Sequence, residues 1–258
     1  MGGAAGKLRG PGPAPAGFPP WLSYWPGPPD ARRGATVVFP HAGAAAVNYR
    51  ALAIALAATG DTVVMQYPQR AERYREPAVD TLPALARSLF EAAPWRQLGP
   101  LRLFGHSMGA LVAFEYARIA EAHGVPIRRL YASAAPGPAT VAGLRKLPTG
   151  DAELCADLTE LGGTDPRLLA DEEFRTLLLT PVRGDYHAYN RYRCDPDTAI
   201  RADIDVLGGR ADDRVGPDLL HRWAPHTGGT CTVSLYDGGH FYLYDHIDAL
   251  AQRISADA

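Results

Sequence analysis

Between Leu101 and Tyr116 an apolar run of strand character passes through Gly105-His106-Ser107-Met108-Gly109 and directly into a stretch of helical spacing, Ala110-Leu111-Val112-Ala113-Phe114. A strand that becomes a helix within so few residues must lie beneath that helix, and only small flanking residues let the two backbones approach. Such a turn belongs in sheets whose strands run parallel and whose helices cover the faces.

The rest of the chain is patterned accordingly. Short β-branched or apolar runs (Thr36-Val37-Val38-Phe39, Thr62-Val63-Val64-Met65, Leu101-Arg102-Leu103-Phe104, Leu130-Tyr131) are separated by helical spacing around 47–58, 80–94 and 108–123. This strand–helix alternation predicts an α/β fold with a mostly parallel central sheet and helices on both faces. From about Pro136 to Ala199 the alternation stops. The pattern there turns helical and polar, with eight acidic residues from Asp151 to Glu173 opposed only by Arg167, and it reads as a helical insertion over the sheet. Strand signals resume at Ile204-Asp205-Val206-Leu207 and Cys231-Thr232-Val233-Ser234-Leu235, and a last helix is expected from about Tyr242 to Ile254.

Residues 1–30 hold 8 prolines and 7 glycines and read as a disordered leader, with Trp21 and Trp25 able to tack its end to a domain spanning 31–258. With 26 Lys plus Arg against 28 Asp plus Glu, the charge gives no case for nucleic acid or an anionic membrane surface. All basic residues but Lys7 and Lys146 are arginines in an alanine-rich chain, which reads as the bias of a GC-rich bacterial genome. Cys155, Cys194 and Cys231 are odd in number and widely spaced. They predict neither a disulfide framework nor a structural metal site, and they favour the reducing cytoplasm. No apolar run is long enough to span a membrane.

A serine hydroxyl is a poor nucleophile near neutral pH and needs a base, which in turn needs an orienting carboxylate. Ser107 is the candidate nucleophile, exposed by its turn at a helix N-terminus. Downstream, Leu207-Gly208-Gly209-Arg210-Ala211-Asp212-Asp213 places an acid on the loop leaving a strand, and the spacing from Gly209 favours Asp212 over Asp213. Further on, Tyr236-Asp237-Gly238-Gly239-His240-Phe241 puts His240 on a glycine-flanked loop before the last helix. Serine, aspartate, histidine is the α/β-hydrolase order. Of the other histidines, His106 reads as a packing or hydrogen-bonding residue inside the turn. His123, His187, His221, His226 and His246 carry no supporting context. Oxyanion donors are expected from the backbone N–H groups of Met108 and of Ala42, the latter in the small-residue loop Phe39-Pro40-His41-Ala42-Gly43-Ala44.

Taken together with Gln66-Tyr67-Pro68-Gln69-Arg70 and Gly239-His240-Phe241, these segments stand in the order found in type II thioesterases, which the chain resembles from about Ala35 onward. Pro181-Val182-Arg183-Gly184-Asp185 resembles a further stretch of that family, near the end of its lid. The resemblance implies an α/β-hydrolase fold with a helical lid at about 140–200 and a Ser107, Asp212, His240 triad. It also implies hydrolysis of acyl groups from the phosphopantetheine arm of acyl or peptidyl carrier domains of nonribosomal peptide and polyketide synthases, with no metal or dissociable cofactor. A monomer is expected. Ala44 and Gln69 stand where the family usually has glycine. The first would stiffen the oxyanion loop, and the second implies a rearranged turn if positive φ is required there. Leu168, Leu169, Phe174, Leu177, Leu178 and Leu179 either line an acyl channel or face the lid's own core. The run Arg70 to Arg75 is a candidate docking surface for an acidic carrier protein.

Two other readings use the same residues. An oxyester hydrolase or acyltransferase would differ in leaving group or acceptor. A binding protein on a hydrolase fold would have lost a triad member, and none is lost.

Overall fold

The computed structural model describes residues 10–29, 34–162 and 171–256. Seven strands form one sheet: β1 (Ser23–Trp25), β2 (Ala35–Phe39), β3 (Asp61–Val64), β4 (Leu101–His106), β5 (Ile127–Ser133), β6 (Asp203–Gly209) and β7 (Cys231–Tyr236). Their order across the sheet is β1-β3-β2-β4-β5-β6-β7, with β1 antiparallel and all other pairs parallel. The helices are α1 (Arg50–Leu56), α2 (Leu82–Glu91), α3 (Met108–Ala122), α4 (Asp151–Leu161), α5 (Glu172–Asn190), α6 (Pro217–Leu220) and α7 (Ile247–Ser255).

Period-2 alternation sorts the strand residues onto the two faces. Val37, Leu103, Leu130 and Val206 join the core beneath α2 and α3, which supply Leu85, Leu89, Leu111 and Phe114. Their neighbours Val38, Phe104, Tyr131 and Leu207 pack on the opposite face with Leu52 and Leu56 of α1 and Leu250 and Ile254 of α7. Burial on both faces explains why these strands read as unbroken apolar runs. The chain therefore has the mostly parallel sheet with helices on both faces that its patterning predicts, in the α/β-hydrolase arrangement that the resemblance implies.

The domain begins earlier than residue 31. Leu22 and Tyr24 are buried in one core cluster and Trp25 in the other, while Ser23 and Trp25 pair with Val64 and Thr62 of β3. The aromatic side chains offset the ordering entropy that the surrounding prolines and glycines made look prohibitive. Of the expected leader, residues 1–9 and 30 lie outside the described residues.

The predicted insertion leaves the sheet after β5 and returns at β6, carrying α4 and α5. Leu154, Leu158, Leu179, Val182 and Tyr186 form its own small core. Asp171 caps α5 by accepting the Phe174 N–H at 2.9 Å. Leu168 and Leu169 lie outside the described residues. Cys155, Cys194 and Cys231 are unpaired thiols. Among the described residues no helix is long and apolar enough to cross a membrane, and no cluster of His, Cys, Asp or Glu is arranged to hold a metal ion.

Candidate active site

Ser107 links β4 to α3 with φ 55° and ψ −125°, a region that L side chains rarely occupy. Its neighbours explain how the turn closes. A Cβ on Gly105 would stand 2.3 Å from the Gly109 carbonyl oxygen, and one on Gly109 would stand 2.1 Å from that of Phe39. The Ser107 N–H still donates to the Ser133 carbonyl at 2.7 Å, so the strained residue is anchored to β5.

The loops after β6 and β7 deliver the other two groups. His240 Nε2 lies 3.0 Å from Ser107 Oγ, and His240 Nδ1 lies 2.8 Å from Asp212 Oδ2. The remaining Asp212 oxygen accepts the backbone N–H groups of Arg214 at 2.9 Å and Val215 at 3.1 Å. The aspartate side chain is 0% exposed and the histidine 4%. With the Nδ1–H donating to Asp212, the Nε2 lone pair is left facing the serine hydroxyl. Asp213, next in sequence, is exposed and makes no such contact among the described residues.

Uncharged aromatic groups surround this histidine. The His106 and Phe241 rings each lie 5.3 Å from the His240 ring, and His41 lies 5.0 Å from Phe241 and 5.8 Å from His106. Burial holds His106 well below the usual imidazole range, with His240 and His41 adding to the effect. Burial also brings His41 down to about 3, helped by His240 and Arg70. His106 Nδ1 is 2.8 Å from Ser133 Oγ, matching the hydrogen-bonding role expected of it.

Ala42 and Met108 line the same cavity as Ser107 and His240, a space of about 900 Å³ under α4 and α5. Among the described residues neither amide donates to a protein acceptor. In the Ala42 loop the positive φ, 78°, falls on Gly43, so Ala44 sits buried without strain where a glycine was expected. Gln69 does take positive φ, 69°, so the backbone there is in the left-handed region that favours glycine, at a cost in strain for a residue with a Cβ.

Leu158, Leu178 and Val182 give the cavity an apolar wall, whereas Leu179 turns into the insertion's core and Phe174 and Leu177 are exposed. Sequence reading missed a polar strap across the same wall. Arg214 pairs with Asp157 of α4 and donates to the Tyr186 hydroxyl of α5 at 3.2 Å, while Tyr186 donates to Asp157 at 2.8 Å. The docking run also changes. Arg70 and Arg73 are buried, Arg73 donating to the Gln66 carbonyl at 2.8 Å and lying 4.1 Å above the Trp21 ring, so Arg75 alone of its arginines is exposed.

A serine at a strand–helix elbow of a parallel sheet, with aspartate and histidine arriving from the next two loops, makes this an α/β-hydrolase. More narrowly, the chain belongs to the thioesterase domain family, whose pattern it matches over residues 36–258. It is 52% identical over 246 residues to the phenyloxazoline synthase MbtB of Mycobacterium tuberculosis, covering 95% of this chain but only 17% of that protein's length. It is 35% identical to thioesterase PikA5 of Streptomyces venezuelae, covering 91% of this chain and 84% of that one. Among solved structures it is similar to the type II thioesterase BorB from the borrelidin biosynthetic cluster, with a TM-score of 0.79 and 37% identity over 92% of this chain and 97% of that chain.

Proposed function

We propose that this chain is a type II thioesterase, hydrolysing acyl groups from the phosphopantetheine arm of acyl or peptidyl carrier domains of a nonribosomal peptide or polyketide synthase. The observation that carries the reading is the hydrogen-bonded line Ser107–His240–Asp212, set at a cavity with an apolar wall and two uncommitted amides. His240 takes the hydroxyl proton as Ser107 Oγ attacks the thioester carbonyl, and Asp212 stabilises the imidazolium. The oxyanion is held by the Ala42 and Met108 amides, each worth roughly 10²–10³ in rate. The tetrahedral intermediate collapses by breaking the C–S bond, His240 returns its proton to the thiolate, and an acyl-serine remains. Water, deprotonated by His240, then attacks the acyl carbonyl, the acyl C–Oγ bond breaks, and His240 returns the proton to Ser107 Oγ as the free acid leaves. Each step uses these side chains and water, and no cofactor enters. We place the enzyme in the cytoplasm as a monomer.

A second reading, release of a finished product, is favoured by one specific finding: the 52%-identical match falls on a segment, 17% of the length, of a synthase. Both readings require a thioesterase. Turnover of a thioester and an oxyester bearing the same acyl group tests that requirement. Higher kcat/KM for the thioester is expected, and preference for the oxyester would move the assignment to a general esterase.

A further inference from the structure

Two segments picked out in the sequence, Gln66 to Arg70 and Pro181 to Asp185, make no hydrogen bond to Ser107, His240 or Asp212 among the described residues, yet they meet each other. Arg70 Nη1 lies 2.8 Å from Asp185 Oδ2 and Nη2 lies 2.8 Å from Oδ1, with both side chains buried. The same Asp185 Oδ2 accepts the Gly43 N–H at 2.8 Å. A carboxylate on α5 therefore reaches the loop that carries Ala42.

The amides of that loop show what the contact does. The His41 N–H goes to the Tyr49 hydroxyl at 3.2 Å, Ala44 to the His41 carbonyl at 3.1 Å, Ala45 to Asn48 Oδ1 at 2.9 Å and Ala46 to Gln66 Oε1 at 2.6 Å. With Gly43 held by Asp185, every amide from 41 to 46 is committed to a partner among the described residues except Ala42, which lines the cavity beside Ser107. Gln66 Nε2 also donates to the Arg70 carbonyl at 3.0 Å, so a single buried network grips both ends of the loop. Val182 of α5 closes over Gly43, where an added Cβ would stand 2.4 Å from Val182 Cγ2.

We infer that Asp185, clamped by Arg70, is a positioning residue for the oxyanion hole: by holding the Gly43 amide it aims the Ala42 amide at the oxyanion and joins the lid helix to the catalytic loop. This rests on reading Ser107 as nucleophile and Ala42 as oxyanion donor. A donor fixed in place before the reaction acts on the transition state and not on substrate binding, so its misplacement lowers kcat and leaves KM nearly alone.

Two variants separate positioning from mere stability. Arg70→Met with Asp185→Leu removes both charges and the Gly43 acceptor, leaving no orphan ion. Asp185→Asn keeps a carbonyl oxygen for Gly43 but strands the Arg70 charge, which makes it the less stable of the two. Each is measured by thermal melting, by kcat and KM on a small acyl thioester, and by the rate at which a fluorophosphonate labels Ser107. The double variant is expected to melt higher than Asp185→Asn, yet to lose about 30-fold or more in kcat and labelling rate with KM within about threefold. Asp185→Asn is expected to keep more activity despite melting lower. Activity that simply follows melting temperature, with the folded double variant near wild type, would overturn the inference. A wild type that does not label at all overturns the nucleophile itself, and this inference with it. Should neither variant fold, amide exchange in the wild type decides: protection of the Gly43 N–H like that of strand amides supports the clamp, and rapid exchange overturns it.

Discussion

Asp212 and Asp213 are chemically the same residue one position apart, and the turn after β6 separates their fates. Asp212 is enclosed by His240 and two backbone amides, while Asp213 faces solvent. Asp212→Asn should lower kcat by about 10⁴, because it deprives the imidazole of its tautomer and its counter-charge. Asp213→Asn should leave kcat within about twofold of wild type, and steady-state kinetics on one thioester compares them; equal losses would contradict the assignment. Ser107, Asp212 and His240 were legible in sequence because each sits where a strand ends, in a local pattern that the chemistry itself demands. The partners of Arg214 and of Asp185 were not, even though the Pro181 to Asp185 stretch stood out, since these pairings join residues 57 and 115 positions apart and no local spacing encodes them.

Among the elements, the parallel strands were the easiest to read, because burial on both faces leaves continuous apolar runs. Strand β1 escaped notice: three residues among prolines give no periodicity, and only the pairing with β3 makes them a strand. The segment around Arg70–Arg75 misled for a related reason, since a run of charges looks solvated until its partners are known. Arg73 donates to both Glu76 carboxylate oxygens and packs over Trp21, next to the β1 edge. Arg73→Glu sets an acid against Glu76 and should destabilise the fold by roughly 3 kcal/mol. The exposed Arg75→Glu should leave the melting temperature within about a degree. Thermal melts of the two proteins compare them directly, and similar behaviour would mean that Arg73 is not held as described.

At the scale of the whole molecule, buried neutral imidazoles make stability depend on pH. Burial keeps His106 well below its ordinary range, and His226, also buried, is lowered in the same way. In the unfolded chain both take up protons below about pH 6.5, whereas the folded protein resists doing so. The unfolded state then binds more protons, so stability falls as pH falls, by up to about 1.4 kcal/mol per pH unit for each such histidine. The melting temperature should therefore drop steadily from pH 6.5 toward 4, and a flat profile would contradict the burial of neutral imidazoles.

The central claim is that Ser107 cleaves acyl thioesters from carrier proteins. The most direct test is mass spectrometry of an acylated phosphopantetheinyl carrier incubated with the enzyme or with Ser107→Ala, across acyl lengths from acetyl upward. Loss of the acyl mass with wild type alone is the predicted result, and the length profile would separate removal of short misprimed groups from release of long products. No loss with any acyl group, or equal loss with Ser107→Ala, would contradict it.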